Sequence, residues 1–341
     1  MNMASILSAK FPPRSRFLAG LTATGAFAAG VHPANAAGAV NIINTGANDS
    51  FALQSVITNR HYFDSVALTA NTQNVSDGVK LMAAIVTGAS DIAILTGFSQ
   101  VFTAIENGAA IKLVGSAMLP LSFEMYTANP AIRTIKDLEG KTVGTGAVGA
   151  LVYMAAAAML KRYNVDINKV NFVNIGSSSD VFKAVAAKKV DAGPSQHEFF
   201  KLASQYGVRI VGDFAKDLPQ FTNQGAFASD KAIAEKRDVL VRTLAAYGKA
   251  YKYVNSPASK QDYIQAYRDG VGKDSDELAI DQWDWIQQYK AYNTAIALSP
   301  DRINYMQQLN VQLGMQKAVL PLEKVADMSI ARDAARLAAR G

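Results

Sequence analysis

The sequence predicts an α/β protein built as two blocks with a helical C-terminal part, and three observations carry that reading. Short apolar runs with β-branched residues alternate with helix-period segments from Val40 onward, the pattern of open, largely parallel sheets. The alternation resumes in the middle of the chain, and from Asp230 it gives way to helical patterning. With 341 residues, 50% hydrophobic and 18% charged, the chain has the length for two domains and the composition for a sizeable core.

The elements follow in order. "VNIIN" (Val40–Asn44) is a first buried strand, and "TGANDS" (Thr45–Ser50) is a loop of turn formers with Asp49 or Ser50 placed to cap a helix. "FALQSVITNRHYF" carries Phe51, Val56 and Ile57 at helical spacing, with Leu53 on the flank. "VALTAN" is a second strand, "SDGVKLMAAIVTGAS" a helix capped by Ser76 or Asp77 and ending near Gly88, and "DIAIL" (Asp91–Leu95) a third strand. A helix in "FSQVFTAIENG" and a strand in "IKLVGSAM" complete the first block. The second block reads "TVGTG" strand, "GALVYMAAAAMLKRYN" helix, "VNFVNIG" strand, "SDVFKAVAAKK" helix, "VDAGPS" strand. Parallel strands need right-handed crossovers, so helices are expected on both faces. "DKAIAEKRDVLVRTLAAYGKAYKYVN" (Asp230–Asn255) predicts one long amphipathic helix, and the remainder to Gly341 is mostly helical.

The N-terminus has the form of an export signal. Lys10, Arg14 and Arg16 precede the apolar run Phe17–Val31, which ends in Ala34-Asn35-Ala36, a small-x-small cleavage pattern. The run is shorter than the roughly 20 residues a membrane span needs. Residues 1–36 are therefore read as a signal peptide cleaved near Ala36, and the mature protein is expected in the periplasm. Removing them lowers the formal charge from +6 to +3. With no run of five Lys/Arg, that mild excess excludes a nucleic-acid footprint. Zero Cys and three His exclude a disulfide framework, a thiolate metal site and a cysteine nucleophile.

One stretch tests the nucleotide-binding classes. "DLEGKTVGTGAVGALVYMAAAAML" (Asp137–Leu160) contains G-x-G-x-x-G at Gly144, Gly146 and Gly149, and Gly140-Lys141-Thr142 matches the end of a phosphate loop. The phosphate loop fails, because its first glycine would fall at Ile135. The dinucleotide fingerprint lacks its ribose-binding acid, since the next strand ends at Asn174 and Gly176. What remains is a glycine-rich turn leading a strand into a helix start. Unpaired N–H groups there suit an anion, or the glycines serve only a tight turn and close packing.

At this point the sequence resembles a known family. "TIKDLEGKTVGTGAVGAL", "VKLMAAIVTGASDIAILTGF", "VFTAIENGAAIKLVG" and "VFKAVAAKKVDAG" are similar, in order and spacing, to phrases of the periplasmic solute-binding proteins of ABC importers. Within these it is most similar to the family serving alkanesulfonates, taurine, nitrate and thiamine-pyrimidine precursors. The resemblance implies a type II periplasmic-binding-protein fold: two α/β lobes joined by two hinge crossings, with a helical C-terminal tail. Lobe 1 would be residues 37–120 plus 226–341 and lobe 2 residues 121–225, with hinges near Leu119–Glu124 and Gln224–Ala228. It further implies a monomer that captures a small organic anion by hinge closure and delivers it to an inner-membrane ABC permease. Neither a cofactor nor a metal is implied.

Ligands of open α/β sheets sit outside the carboxyl ends of the strands. Those ends offer Asn48, Ser50 and Phe51 (with Asp49 between them), then Thr96, Gly97 and Phe98, then Val148, Gly149 and Ala150, then Gln196 and His197 beside Glu198; the hinge adds Ser122 and Phe123. Each has a plainer alternative: core packing for Phe98 and Phe123, a turn role for Thr96, a structural role for His197. His61 reads as a surface or capping residue. The turn "GAVGAL" has only Thr145 as a nearby hydroxyl, which fits a ligand with an apolar or aromatic body and an anionic end. Aromatics of "QWDWIQQY" (Gln282–Tyr289) read as packing, and Asp281 and Asp284, three apart, as solvated helix surface. The rival class is an enzyme: the fold is shared with a thiamine-pyrimidine synthase, but such enzymes carry a cysteine-rich segment that is missing here. A pyrimidine-precursor binder or the ligand-binding subunit of a membrane sensor remains open.

Overall fold

The computed structural model describes residues 38–75, 78–272 and 276–340. Two five-stranded sheets share one internal order. In the first, β1 (Gly38–Thr45) is flanked by β2 (Leu68–Val75) and β3 (Ile92–Thr96), followed outward by β10 (Gly225–Ser229) and β4 (Ile111–Ser116). In the second, β6 (Thr142–Thr145) is flanked by β7 (Asn171–Asn174) and β8 (Ala192–Gln196), followed by β5 (Phe123–Thr127) and β9 (Arg209–Asp213). Each sheet with its helices is one lobe.

β2, β1 and β3 in one sheet, and β7, β6 and β8 in the other, run parallel, as the strand–helix alternation requires. β10 runs antiparallel to β3 and β4, and β5 antiparallel to β8 and β9. These two strands enter their sheets from the other lobe, which sets their reversed direction. β3 is buried along its whole length, as suits a strand covered on both faces.

Helices Asn48–Asn59, Gly78–Val86 and Ser99–Glu106 connect the first sheet, and Leu151–Arg162 and Ser178–Ala186 the second. The first helix begins three residues before Phe51, so Ala47 is its cap and Asp49 lies in its first turn rather than capping it. The expected caps Ser76 and Asp77, like the signal segment 1–36, lie outside the described residues. The expected single helix from Asp230 is two, Asp230–Glu235 and Arg237–Val254. They part at Lys236, which leaves helical geometry at φ −127° and whose ammonium reaches Asp91 Oδ1 at 2.8 Å. The tail continues through Lys260–Val271, Asp276–Tyr289, Pro300–Gln312 and Met328–Ala338. No helix among the described residues is long and apolar enough to cross a membrane.

Residues 117–122 carry the chain from β4 to β5, and residues 214–224 return it to β10. The return ends slightly upstream of residues 224–228, because Gly225–Ser229 is already paired with β4. The crossings are tied together by Asn223 N–H to the Leu119 carbonyl (3.0 Å) and Gln224 N–H to the Met118 carbonyl (2.9 Å). Helix Pro300–Gln312 adds Ile303, Met306 and Leu309 to an apolar core that takes in Ile43 and Ala93 of the first sheet and Met125 and Val143 of the second. The core cluster thus includes side chains of both lobes, and its apolar burial contributes to the stability of the fold.

Candidate functional site

Strand order reverses beside β1 in one lobe and beside β6 in the other. Open α/β sheets form a crevice at such a point, outside the carboxyl ends of the strands. Here the two crevices face one another. A Cβ on Gly97, just past β3, would lie 2.8 Å from the Cβ of Leu151, the first residue of the Leu151–Arg162 helix. The first lobe's side of this contact is built from Thr45 and Thr96, whose hydroxyls meet at 2.7 Å. Leu95 before it sits at φ +55°. A bulky side chain holds that left-handed geometry at a cost of about 1–2 kcal/mol, and such strain concentrates at ligand sites.

On the second lobe's side, Ala150 precedes the Leu151–Arg162 helix and offers no side-chain cap. The helix start presents backbone N–H groups and the positive end of its dipole. Gly149 has φ +83°, which demands glycine, and Val148 is exposed. Gly144 would press a Cβ on Val190 and Ile175 at 3.1 and 3.2 Å, and Gly146 on the Gly176 carbonyl at 3.1 Å. Turn geometry and packing thus account for the three glycines of the G-x-G-x-x-G.

Beside these facing ends, the segment after β8 docks on the C-terminal helices of lobe 1. Glu198 accepts from Asn48 Nδ2 at 2.8 Å and from the Tyr267 hydroxyl at 2.5 Å. Burial pushes its carboxyl up to about 7; the Tyr267 bond opposes that shift, and the nearby Asp49 charge adds to it. Asp49 is also raised by burial, its Oδ1 accepting from the Ser50 N–H and its Oδ2 from Gln224 Nε2, both at 2.8 Å. Lys201 of lobe 2 pairs with Asp281. His197 Nδ1 lies 2.7 Å from Glu124 Oε1. Burial, with the charges of Asp213 and Asp217, lifts Glu124 to about 9, and burial lowers His197 to about 4. At neutral pH the pair is a protonated carboxyl donating to a neutral imidazole, whose ring centroid lies 5.1 Å from that of Phe200 and 5.9 Å from that of Trp285.

The structure brings Asn48, Thr96, Gly97, Gly149, Ala150, Gln196 and His197 to the facing strand ends. Gln196 is held by Ser179, whose hydroxyl donates to Oε1 at 3.2 Å. Ser50 turns inward, its hydroxyl directed at the Leu95 carbonyl at 3.4 Å, and Phe51 packs against Gly46. Phe98 is core: it stands edge-on to Phe102 and fills the space Gly225 leaves, where a Cβ would be 2.6 Å from its ring. Phe123, edge-on to Phe214, is core too. Ser122 belongs to the hinge, accepting from the His197 N–H at 2.8 Å. His61 is exposed beside Asp64. Asp281 corrects the sequence expectation: it is 3% exposed, because its helix turns that face to lobe 2 rather than to solvent. Trp283 packs as expected, donating to Ser259 Oγ at 3.0 Å. Glu124 and Gln224, named above only as hinge bounds, and Trp285, read as packing, also lie here, as does Tyr267, which the sequence reading did not single out. Among the described residues no three His, Asp or Glu side chains gather to hold a metal.

A family profile described as NMT1/THI5 like matches residues 37–259. No curated protein sequence matches the chain. Among solved structures, the chain is similar to the MOPS-bound alkanesulfonate-binding protein SsuA from Xanthomonas axonopodis pv. citri, at TM-score 0.68 and 14% identity over 87% of this chain and 99% of that one. The nitrate-binding protein NrtA from Synechocystis superposes at TM-score 0.71 and 11% identity, covering 89% of each chain. The ligand-binding component of an ABC-type import system from Staphylococcus aureus superposes at TM-score 0.70 and 12% identity, over 87% of this chain and 99% of that one. The chain therefore belongs to the NMT1/THI5-like family and has the two-lobed periplasmic-binding-protein fold.

Proposed function

We propose that the chain is the extracytoplasmic solute-binding component of an ABC importer, taking a small organic anion between its lobes and closing on it. The observation that carries this reading is the apposition of the two switch points, with Gly97 of one lobe against the helix start at Leu151 of the other. An anion seated there meets backbone N–H groups that no side chain caps, and the apolar turn Gly146–Leu151 suits an aliphatic or aromatic body. The sulfonate- and nitrate-binding proteins of similar fold are consistent with this chemistry. A solute touching both lobes favours the shut state over the open one, and a permease reads that state. Residues 37–120 with 226–341 and residues 121–225 are the two bodies that move. The mature protein, cleaved near Ala36, works in the periplasm as a monomer. It binds without turnover.

The test is thermal unfolding of residues 37–341 against sulfonates, carboxylates, amino-pyrimidines and NAD. A ligand at 100 times its dissociation constant adds about 2.7 kcal/mol of stability. A shift with an organic anion and none with NAD supports the reading; a shift with NAD alone overturns it.

A further inference from the structure

Lobe 2 reaches lobe 1 through the short segment after β8, and the carboxylate that this segment carries across has no cation to balance it. Glu198 is 1% exposed. Its two partners belong to lobe 1 and both are neutral: Asn48 Nδ2 donates to Oε1 at 2.8 Å and the Tyr267 hydroxyl to Oε2 at 2.5 Å. The charged and titratable groups around it leave it uncompensated. Lys201, three residues on, pairs with Asp281 of helix Asp276–Tyr289, whose Glu277 and Asp284 are exposed. His197 is neutral against the protonated Glu124. Asp49, on the helix that carries Asn48, adds a like charge and is held by Ser50 and Gln224. Tyr263 and Tyr267 of helix Lys260–Val271 and Tyr126 of β5 stay neutral, because burial raises all three. A carboxylate buried among neutral donors and a like charge is disfavoured against its acid form. That burial is supplied by the other lobe, so parting the lobes takes Asn48 and Tyr267 away and returns the group to water.

We propose that closing the lobes loads a proton from solvent onto Glu198, so that the solute is held more tightly on the acid side of neutrality. This rests on the solute closing the lobes, and it adds a proton to that step. The shut state has the chemistry to accept it. The Tyr267 hydroxyl turns from donor to acceptor, the protonated Oε2 donates along the same bond, and Oε1 still accepts from Asn48. Burial lifts the carboxyl from its ordinary 4.5 to about 7 in the shut state. Uptake therefore spans pH 4.5 to 7, and affinity rises as pH falls through that window and levels off above it. His197 opposes this between 4 and 6.5 only so far as opening restores its ordinary value. Glu124 and Phe200, which hold its ring, lie in lobe 2 and move with it.

The test is isothermal calorimetry on residues 37–341 with propanesulfonate, benzenesulfonate, butyrate and benzoate, all ionised from pH 6 to 8. Buffers of different ionisation enthalpy give the number of protons taken up per solute bound. At pH 6.5 the wild type should take up about 0.7 proton more than Glu198→Gln. Its affinity should also gain several-fold more than that of the variant between pH 8 and pH 6. Tyr267→Phe removes a donor that favours the charged carboxylate, so it should keep the uptake and move it to higher pH. That variant carries the test alone if Glu198→Gln does not match wild-type thermal unfolding. Equal uptake in wild type and Glu198→Gln, or uptake that Tyr267→Phe leaves at the same pH, overturns the proton-linked step and leaves the solute-binding reading standing. Absence of binding by all four probes overturns the organic-anion reading itself, and this step with it.

Discussion

Gly97→Ala probes the contact between the lobes with a single methyl group. The added Cβ would stand 2.8 Å from Leu151 Cβ and 3.3 Å from its Cγ, whereas carbon atoms settle at roughly 3.5–4.0 Å. The methyl thus demands ~1 Å of extra separation. Neither side can swing away, because one atom is fixed to the end of β3 and the other to the first residue of a helix. Gly97 is not in the left-handed region, so alanine fits its backbone. Overpacking of this kind costs roughly 1–3 kcal/mol. The contact joins two lobes, so the cost falls on closure and not on the folding of either lobe. Calorimetry should show ligand affinity weakened by about 5–150-fold, with unliganded thermal unfolding close to wild type. Leu151→Gly in the same chain removes the opposing Cβ and should recover most of the loss. Wild-type affinity in Gly97→Ala would mean that the lobes do not meet there when ligand is bound.

Three other outcomes follow from the same geometry. Glu124, lifted to about 9, keeps a proton that the unfolded chain gives up near its ordinary 4.5, so its contribution is full below 4.5 and is lost as pH rises through 9. His197, lowered to about 4, works the opposite way between 4 and 6.5. Denaturant unfolding should therefore show stability falling from pH 6.5 to 9, and Glu124→Gln should flatten that fall; an unchanged profile counts against the protonated pair. Lys201→Ala leaves Asp281 buried and unpaired, but the lysine is half-exposed. The loss in calorimetric affinity should then be about 1–3 kcal/mol, below the 3–5 kcal/mol of a fully buried pair, and no loss would mean the bridge is not made in the closed state. Gly149→Ala forces an L-residue to φ +83° and should lower stability by about 1–2 kcal/mol in denaturant unfolding, whereas a neutral result would mean the turn relaxes.

The parts of this architecture legible in the sequence are those set by neighbours along the chain. Strand–helix alternation is local, and so is the rule that loops after strands form the crevice; together they point to Asn48, Thr96, Gly97, Gly149 and Gln196. The parts that were not legible depend on remote partners. Nothing near Gly225–Ser229 says that this strand runs antiparallel, because its direction comes from a crossing between lobes. Asp281 reads from the sequence as solvated helix surface, and nothing local says that its face meets Lys201, or that Tyr267 meets Glu198, across the lobes. Phe98 stood at a strand end yet went to the core, since Gly225, far away in sequence, leaves it room.

In the proposed function a solute draws the two lobes together. Small-angle X-ray scattering of residues 37–341, measured with and without the organic anion that gives the largest thermal shift, tests it most directly. The radius of gyration should be smaller with ligand, and the change should be smaller in Gly97→Ala at equal occupancy. An unchanged radius at an occupancy verified by calorimetry would contradict it.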